Sequence, residues 1–287
     1  MSGIAGFRAA ITLEPIGEDV FLARTQTVPW AKSYGGDLLA QAAAAAMRTV
    51  APDRALHATH SLFVAPATVG GSIEYRVERL RDGKSYSSRR VTGAEGGRVV
   101  LSALCSFHVG ETSDLLSESA PDVEGPTGLA TSAEWVSGLA DPAAAYWAHG
   151  RGFDIRHLGL PLYAQPTGER AREVRYWARA FEALPDEADA HRLALIYLCD
   201  YGMLEPALRA SGLAWTDPGL TTASLDHAMW FHADARADEW LLCSIRLVSH
   251  SRGRALVKGD YFSEAGVHVA SVAQQGMIRR PAAVDGS

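Results

Sequence analysis

The chain has 287 residues, of which 47% are apolar and 21% charged, the balance of a folded protein with material for one large or two small domains. Its net charge of -6 excludes broad electrostatic binding to nucleic acid, which draws on clustered Lys and Arg, so an anionic ligand would need a local basic patch. Three cysteines, Cys105, Cys199 and Cys243, lie in apolar runs without metal-type spacing and read as reduced core thiols, which points to a reducing compartment. No apolar window is long enough to span a bilayer and no targeting segment is legible, so the cytoplasm is the expected location.

In chain order, Val20 to Val28 reads as a strand by its β-branched, alternating content. Gly36 to Val50, "GDLLAQAAAAAMRTV", predicts a helix that is apolar nearly all round apart from Asp37, Gln41 and Arg48, hence a buried one. Four strands follow, at 57–64, 72–80, 85–91 and 98–107, and the turns "RDGKS" and "GAEGGR" join the last three into a meander. From Val109 to about Tyr146 the composition turns to Ser, Glu, Asp, Pro and Gly, which reads as a linker with one short helix near "AEWVSGL". The first pattern then returns: a strand at 172–181, an apolar helix at 189–201, and strands at 222–231, 240–249, 253–262 and 267–279.

The recurrence extends to residues. "THSLFVAPA" from Thr59 parallels "DHAMWFHAD" from Asp226, and "GRVVLSALCSF" from Gly97 parallels "GVHVASVAQQG" from Gly266, at offsets of 167 and 169. A near-constant offset is what two copies of one strand-helix-meander unit produce. The expected organisation is a first repeat over 1–110, a linker over 111–150 and a second repeat over 151–287. The expected fold class is α+β, with two antiparallel sheets side by side, each curled round one helix.

Chemistry is concentrated in "TTASLDHAMWFHADA", Thr221 to Ala235. His227 and His232 are five apart, so a regular strand points them to opposite faces and they share no ion without a bulge. No HExxH or CxxC spacing occurs elsewhere, and no metal is expected. A nucleophile elbow of the G-x-S-x-G kind is also absent, which leaves Ser224 as a hydrogen-bonding hydroxyl at a strand start. Asp200 closes an apolar helical run at the end of a helix that is electrostatically wrong for a carboxylate, so it is either an exposed acid or a functional one. Gln274 and Gln275 interrupt the last apolar strand, and alternation points one amide at the helix and the other outward.

These segments together resemble the acyl-CoA thioesterase II family, the double-hotdog (TesB-type) hydrolases. The resemblance runs through "YGGDLLAQA", "LRDGKSYSSRRV", "LCDYGMLEPAL", "SLDHAMWFH", "DEWLLCS" and "VASVAQQGMIRR", with the linker as the one part lacking a recognised counterpart. It implies a double hotdog that hydrolyses acyl-CoA thioesters with no metal or organic cofactor, the coenzyme being part of the substrate. It also implies that an Asp, a Thr or Ser, and a Gln activate and orient a water, and motif by motif these fall on Asp200, Ser224 and Gln274. Many members carry Thr where this chain has Ser224; the hydroxyl is kept and one methyl is lost.

At the repeat offsets Ser224 corresponds to His57 and Gln274 to Cys105, so the first repeat lacks the trio and one active site per chain is expected. Backbone donors near Gly35 and Gly36, at the start of the first helix, are expected to help stabilise an oxyanion. For the coenzyme's phosphates the candidates are Arg89, Arg90, Arg252, Arg254 and Lys258, each with a solvated strand face as its plainer alternative. Competing readings are a hotdog hydratase or dehydratase, which would pair an acid with a His, and a non-catalytic acyl-CoA binder. The first is disfavoured because alternation gives His227 a face opposite to Ser224. Exposed sheet faces suggest a homodimer.

Overall fold

The computed structural model describes residues 7–9, 11–111, 113–139, 143–150, 152–164 and 170–280. The first repeat comprises β1 (Glu14–Gly17), β2 (Val20–Arg24), helix α1 (Gly35–Met47), β3 (Arg54–Phe63), β4 (Ser72–Asp82), β5 (Tyr86–Glu95) and β6 (Arg98–Val109). Helix α2 (Ser132–Trp135) and a π-helical turn (Tyr146–Gly150) lead to the second repeat: β7 (Phe153–His157), β8 (Glu173–Ala180), α3 (Ala188–Leu198), α4 (Glu205–Ser211), β9 (Thr221–Ser224), β10 (Asp226–Phe231), β11 (Leu241–Ser251), β12 (Arg254–Ser263) and β13 (His268–Arg279).

The strands form one antiparallel sheet in the order β1-β2-β4-β5-β6-β3-β10-β13-β12-β11-β8-β7, with β9 also on β13. The order β2-β4-β5-β6-β3 repeats as β8-β11-β12-β13-β10, which bears out the internal repeat. The two sheets are not merely side by side: β3 pairs with β10, with His227 opposite Ser61 and Met229 opposite Thr59, so they merge edge to edge. That pairing covers the edge each repeat would otherwise leave open.

Helix α1 is buried from Gly36 to Ala46, as its all-round apolar pattern predicts. The alanine run gives it a slim girth, and Ala40, Ala43, Ala45 and Ala46 have no exposed surface. Its one amide, Gln41, accepts from the Tyr75 hydroxyl and donates to the Arg24 carbonyl, so the buried polar group is paired.

The segment before β7 is no free tether. Thr131 and Glu134 form a reciprocal capping box that starts α2. Ala120, Val123 and Leu129 pack against Trp177, Leu242 and Phe262 on the second repeat. Some elements escape the sequence reading, among them β1 and the π-helical turn. Strand β7 is buried at Phe153, Asp154, Ile155 and His157, so it shows no polar-apolar alternation, and α4 is a short helix closed by Gly212 in the left-handed region at φ 66°.

The predicted strand 222–231 is broken. Ser224 pairs with Gly276, whereas Ala228 pairs with Ala273, so β9–β10 spends one more residue than β13 over the same distance, a bulge at Leu225. The Asp226 carboxylate caps the irregularity by accepting the Gln275 N–H at 2.7 Å. A matching irregularity interrupts β3 between Leu56 and Ala58 in the first repeat.

Candidate active site

Asp200 lies just past the last residue of α3, at the end of a helix whose dipole repels a carboxylate. Compensation comes from the other repeat, because the backbone N–H groups of Gly35 and Gly36, in the first turn of α1, hydrogen-bond the Asp200 carboxylate. A helix N-terminus offers free donors and a positive dipole end, which suits an anion. The approach is too close for a side chain: a Cβ on Gly35 would stand 2.5 Å from Asp200 Oδ2 and 3.0 Å from the Phe63 ring.

The other two predicted residues reach the same carboxylate. The Ser224 hydroxyl donates to Asp200 Oδ1 at 2.9 Å, and Gln274 Nε2 donates to Asp200 Oδ1 and to Ser224 Oγ, each at 2.9 Å. Strand alternation along β13 turns Gln274 inward, where it is 1% exposed, and leaves Gln275 half-buried on the other face. Burial pushes the Asp200 carboxyl up to about 6, against the lowering effect of the bonds from Ser224, Gln274, Gly35 and Gly36. A half-buried carboxylate that changes charge near neutral pH, with its hydrogen-bond partners in place, has the attributes of a general base.

Several expectations change. Gly35 and Gly36 were expected to aim their N–H groups at an oxyanion, but these donors are directed to Asp200. The expectation that His227 and Ser224 face opposite ways fails because of the bulge: both lie on the helix-facing side, His227 buried and Ser224 bonded to Asp200. His232 is exposed on the other side and bonds to Ser271, so the two imidazoles do not converge.

Arg89 is not part of a surface patch. It is 1% exposed, and its guanidinium donates to the Thr49 hydroxyl and carbonyl, to the Arg81 and Ser88 carbonyls and to Asp82. Cys105, the counterpart of Gln274, pairs with Arg89 across the strands just as Gln274 pairs with Val257. Thr49 follows α1 as Asp200 follows α3. A buried, fully bonded guanidinium thus fills the place in the first repeat that the trio occupies in the second. Arg90 pairs with Glu78 on the solvent side, and Arg254 and Lys258 are exposed positions of β12 whose faces alternate away from Val257, the neighbour of Gln274. Arg252 sits in the β11–β12 turn with a positive φ of 51°.

Sequence reasoning passed over three residues around the trio. Lys32, in the loop before α1, donates to the Thr222 carbonyl and feels the Asp200 charge, while burial holds its pKa below the usual lysine range. Asp37, fully buried in α1, accepts the Gln26 N–H at 2.7 Å and Gln26 Nε2 at 3.0 Å, and burial pushes it up to about 7. Tyr34 donates to the Tyr197 carbonyl in α3 and so ties the two helices together. Asp37 was visible as the lone acid in an apolar helix; Lys32 and Tyr34 carried no periodic signal.

A sheet of two joined strand-helix-meander repeats, with one Asp-Ser-Gln cluster at the facing helix ends, is the architecture of a double-hotdog hydrolase. Comparison with known proteins agrees. Residues 26–108 match the acyl-CoA thioesterase N-terminal domain and residues 117–278 the acyl-CoA thioesterase C-terminal domain, whose match begins inside the segment expected to be linker. Acyl-CoA thioesterase 2 of Haemophilus influenzae is 28% identical over 94% of this chain and 95% of its own. Human acyl-coenzyme A thioesterase 8 is 30% identical over 94% of this chain and 87% of its own. The crystal structure of an acyl-CoA thioesterase II from Mycobacterium marinum superposes with a TM-score of 0.78 at 29% identity, covering 98% of this chain and 99% of that one. The chain belongs to the acyl-CoA thioesterase family.

Proposed function

We propose that the protein hydrolyses acyl-CoA thioesters to the free acid and coenzyme A, with Asp200 as general base and Ser224 and Gln274 positioning the water. The observation that carries this reading is the half-buried Asp200 carboxylate, bonded at once by Ser224, Gln274 and the start of α1. Water attacks the thioester carbonyl carbon as Asp200 takes its proton. The tetrahedral adduct then expels the thiolate as the C–S bond breaks, and Asp200 returns the proton to sulfur. Protein groups and water supply every proton in this scheme, so no metal or organic cofactor is invoked.

A hydratase or dehydratase would need an imidazole acting as a base. His227, although on the same face, has its pKa lowered to about 3 by burial and has no hydrogen bond to Asp200, which supports hydrolysis instead. For the coenzyme's phosphates Arg252 and Arg254 stay candidates, at the turn beside the β13 segment that pairs with β9. Buried free thiols at Cys105, Cys199 and Cys243 suit a cytoplasmic location. Exposed Leu62, Leu104 and Trp230, on the outer side of the central strands, suit a homodimer, and light scattering at micromolar concentration tests it.

The deciding experiment follows thiol release from a panel of acyl-CoAs with a thiol-reactive dye, for the native chain and for Asp200→Ala. Release by the native chain and its loss in the variant is expected. No release at any chain length refutes the hydrolase reading, undiminished release by the variant refutes the site, and a hydrated product with its thioester intact favours the hydratase.

A further inference from the structure

The four donors at the trio are already committed. The N–H groups of Gly35 and Gly36 and the hydroxyl of Ser224 point at Asp200, and the Gln274 amide donates to Asp200 and Ser224. These bonds prepare the base and leave the thioester oxygen, on which negative charge develops, without a donor from this set. Preorganised donors aimed at that oxygen are ordinarily a large part of catalysis in acyl transfer.

One polar side chain on the same face has no role so far. His227 is 1% exposed, and neither ring nitrogen has a hydrogen-bond partner. The bulge at Leu225 turns it to the helix-facing side, opposite Ser61 on β3. One residue on from the Ala228–Ala273 pair, the β10–β13 register carries it alongside Gln274. The Oε1 atom of Gln274 is likewise buried and unpartnered. Orphaned polar groups on two residues that face each other across neighbouring strands are costly in a finished protein core and are tolerated where a ligand completes them. A neutral imidazole carries one N–H, which a carbonyl oxygen accepts without competing with Asp200 for the water proton. Partly exposed Ser224 and Asp200 leave the approach to this face open on their side.

We propose that His227 donates, through its ring N–H, the hydrogen bond that polarises the thioester carbonyl and stabilises the oxyanion formed beside Asp200. This rests on the thioesterase reading. The imidazole keeps its proton throughout: the water proton goes to Asp200 and then to sulfur, and His227 only strengthens its bond as the carbonyl C–O bond becomes single. Met229, next inward on the same strand, has no comparable donor.

Two measurements test the assignment. In thiol-release kinetics, His227→Leu should lower kcat by about 10²- to 10³-fold with KM little changed, the signature of a lost oxyanion donor. His227→Gln, which keeps an N–H donor, should recover to within about tenfold of the native rate. Because the orphaned imidazole contributes no internal hydrogen bond, the thermal midpoint of His227→Leu should equal or exceed that of the native chain. In an Asp200→Ala background, which leaves the thioester intact, isotope-edited infrared spectra of bound carbonyl-labelled acyl-CoA should show a lowered carbonyl stretch. Adding His227→Leu should abolish that shift. Native kcat in His227→Leu, or a carbonyl shift that survives the replacement, overturns the assignment while leaving the hydrolase reading intact. Absence of thiol release by the native chain overturns both.

Discussion

Replacing Asp200 by Asn should make the protein more stable at alkaline pH while removing its activity. The ordinary carboxyl value is 3.8 and burial brings Asp200 to about 6, a shift of about two units. At about 1.4 kcal/mol per unit, keeping the carboxylate charged costs up to about 3 kcal/mol of folding free energy. The folded state holds the proton until about pH 6 while the unfolded chain releases it near 3.8, so stability is highest below the unfolded value and falls as pH rises between the two. Asn carries no charge at any pH, but its NH2 opposes a donor on one side, a loss of about 1 kcal/mol. The net gain is therefore about 1–2 kcal/mol at pH 8 and is absent near pH 4. Asp37, pushed up to about 7 by burial and in part by the Asp200 charge, adds to the gain in the same direction, because the replacement removes that repulsion. Urea unfolding of both chains between pH 4 and 8 measures it, with thiol release recorded in parallel. A difference in stability that does not change with pH would refute the desolvated-carboxylate account.

Four further outcomes follow from the same geometry. Gly35→Ala should lower kcat by about 10²-fold, because the new methyl would stand 2.5 Å from Asp200 Oδ2 and displace the carboxylate; a native rate would show that the site tolerates that shift. Arg89→Met should destabilise the fold by about 1–3 kcal/mol in denaturant titrations and leave KM for acyl-CoA unchanged; a raised KM would return Arg89 to the coenzyme site. The log of kcat/KM should fall with unit slope below about pH 6, as Asp200 takes up its proton, and level off above it. Asp37→Asn should leave that acid limb in place, because Asp37, pushed up to about 7, is still protonated and uncharged while Asp200 titrates; a limb that moves would show that the two carboxyls titrate together.

The legible part of the site is the part that local pattern carries. Asp200 stands out as a carboxylate at the end of an apolar run, Gln274 as an amide breaking an apolar strand, and Ser224 through the motif that precedes Asp226 and His227. Arg89 shows the reverse: "SSRRV" reads as a solvent-facing pair, but alternation turns one arginine inward to fill the space where Cys105 is too small. The bulge at Leu225 was hidden because it depends on the register of β9 and β10 against β13.

By itself the sequence determined the two repeats and their buried helices, which follow from hydrophobic period along the chain, while the choice of Asp200, Ser224 and Gln274 came from the family resemblance of the motifs around them. Only the tertiary structure decided that the two sheets join through β3 and β10, and that the first repeat sends Gly35 and Gly36 to hold the carboxylate of the second. It also decided that one inserted residue turns His227 toward the same face as Ser224. Periodicity assigns a side chain to a face of its own element. Which donor meets which carboxylate is set by how elements far apart in the chain pack, and a bulge resets the faces beyond it.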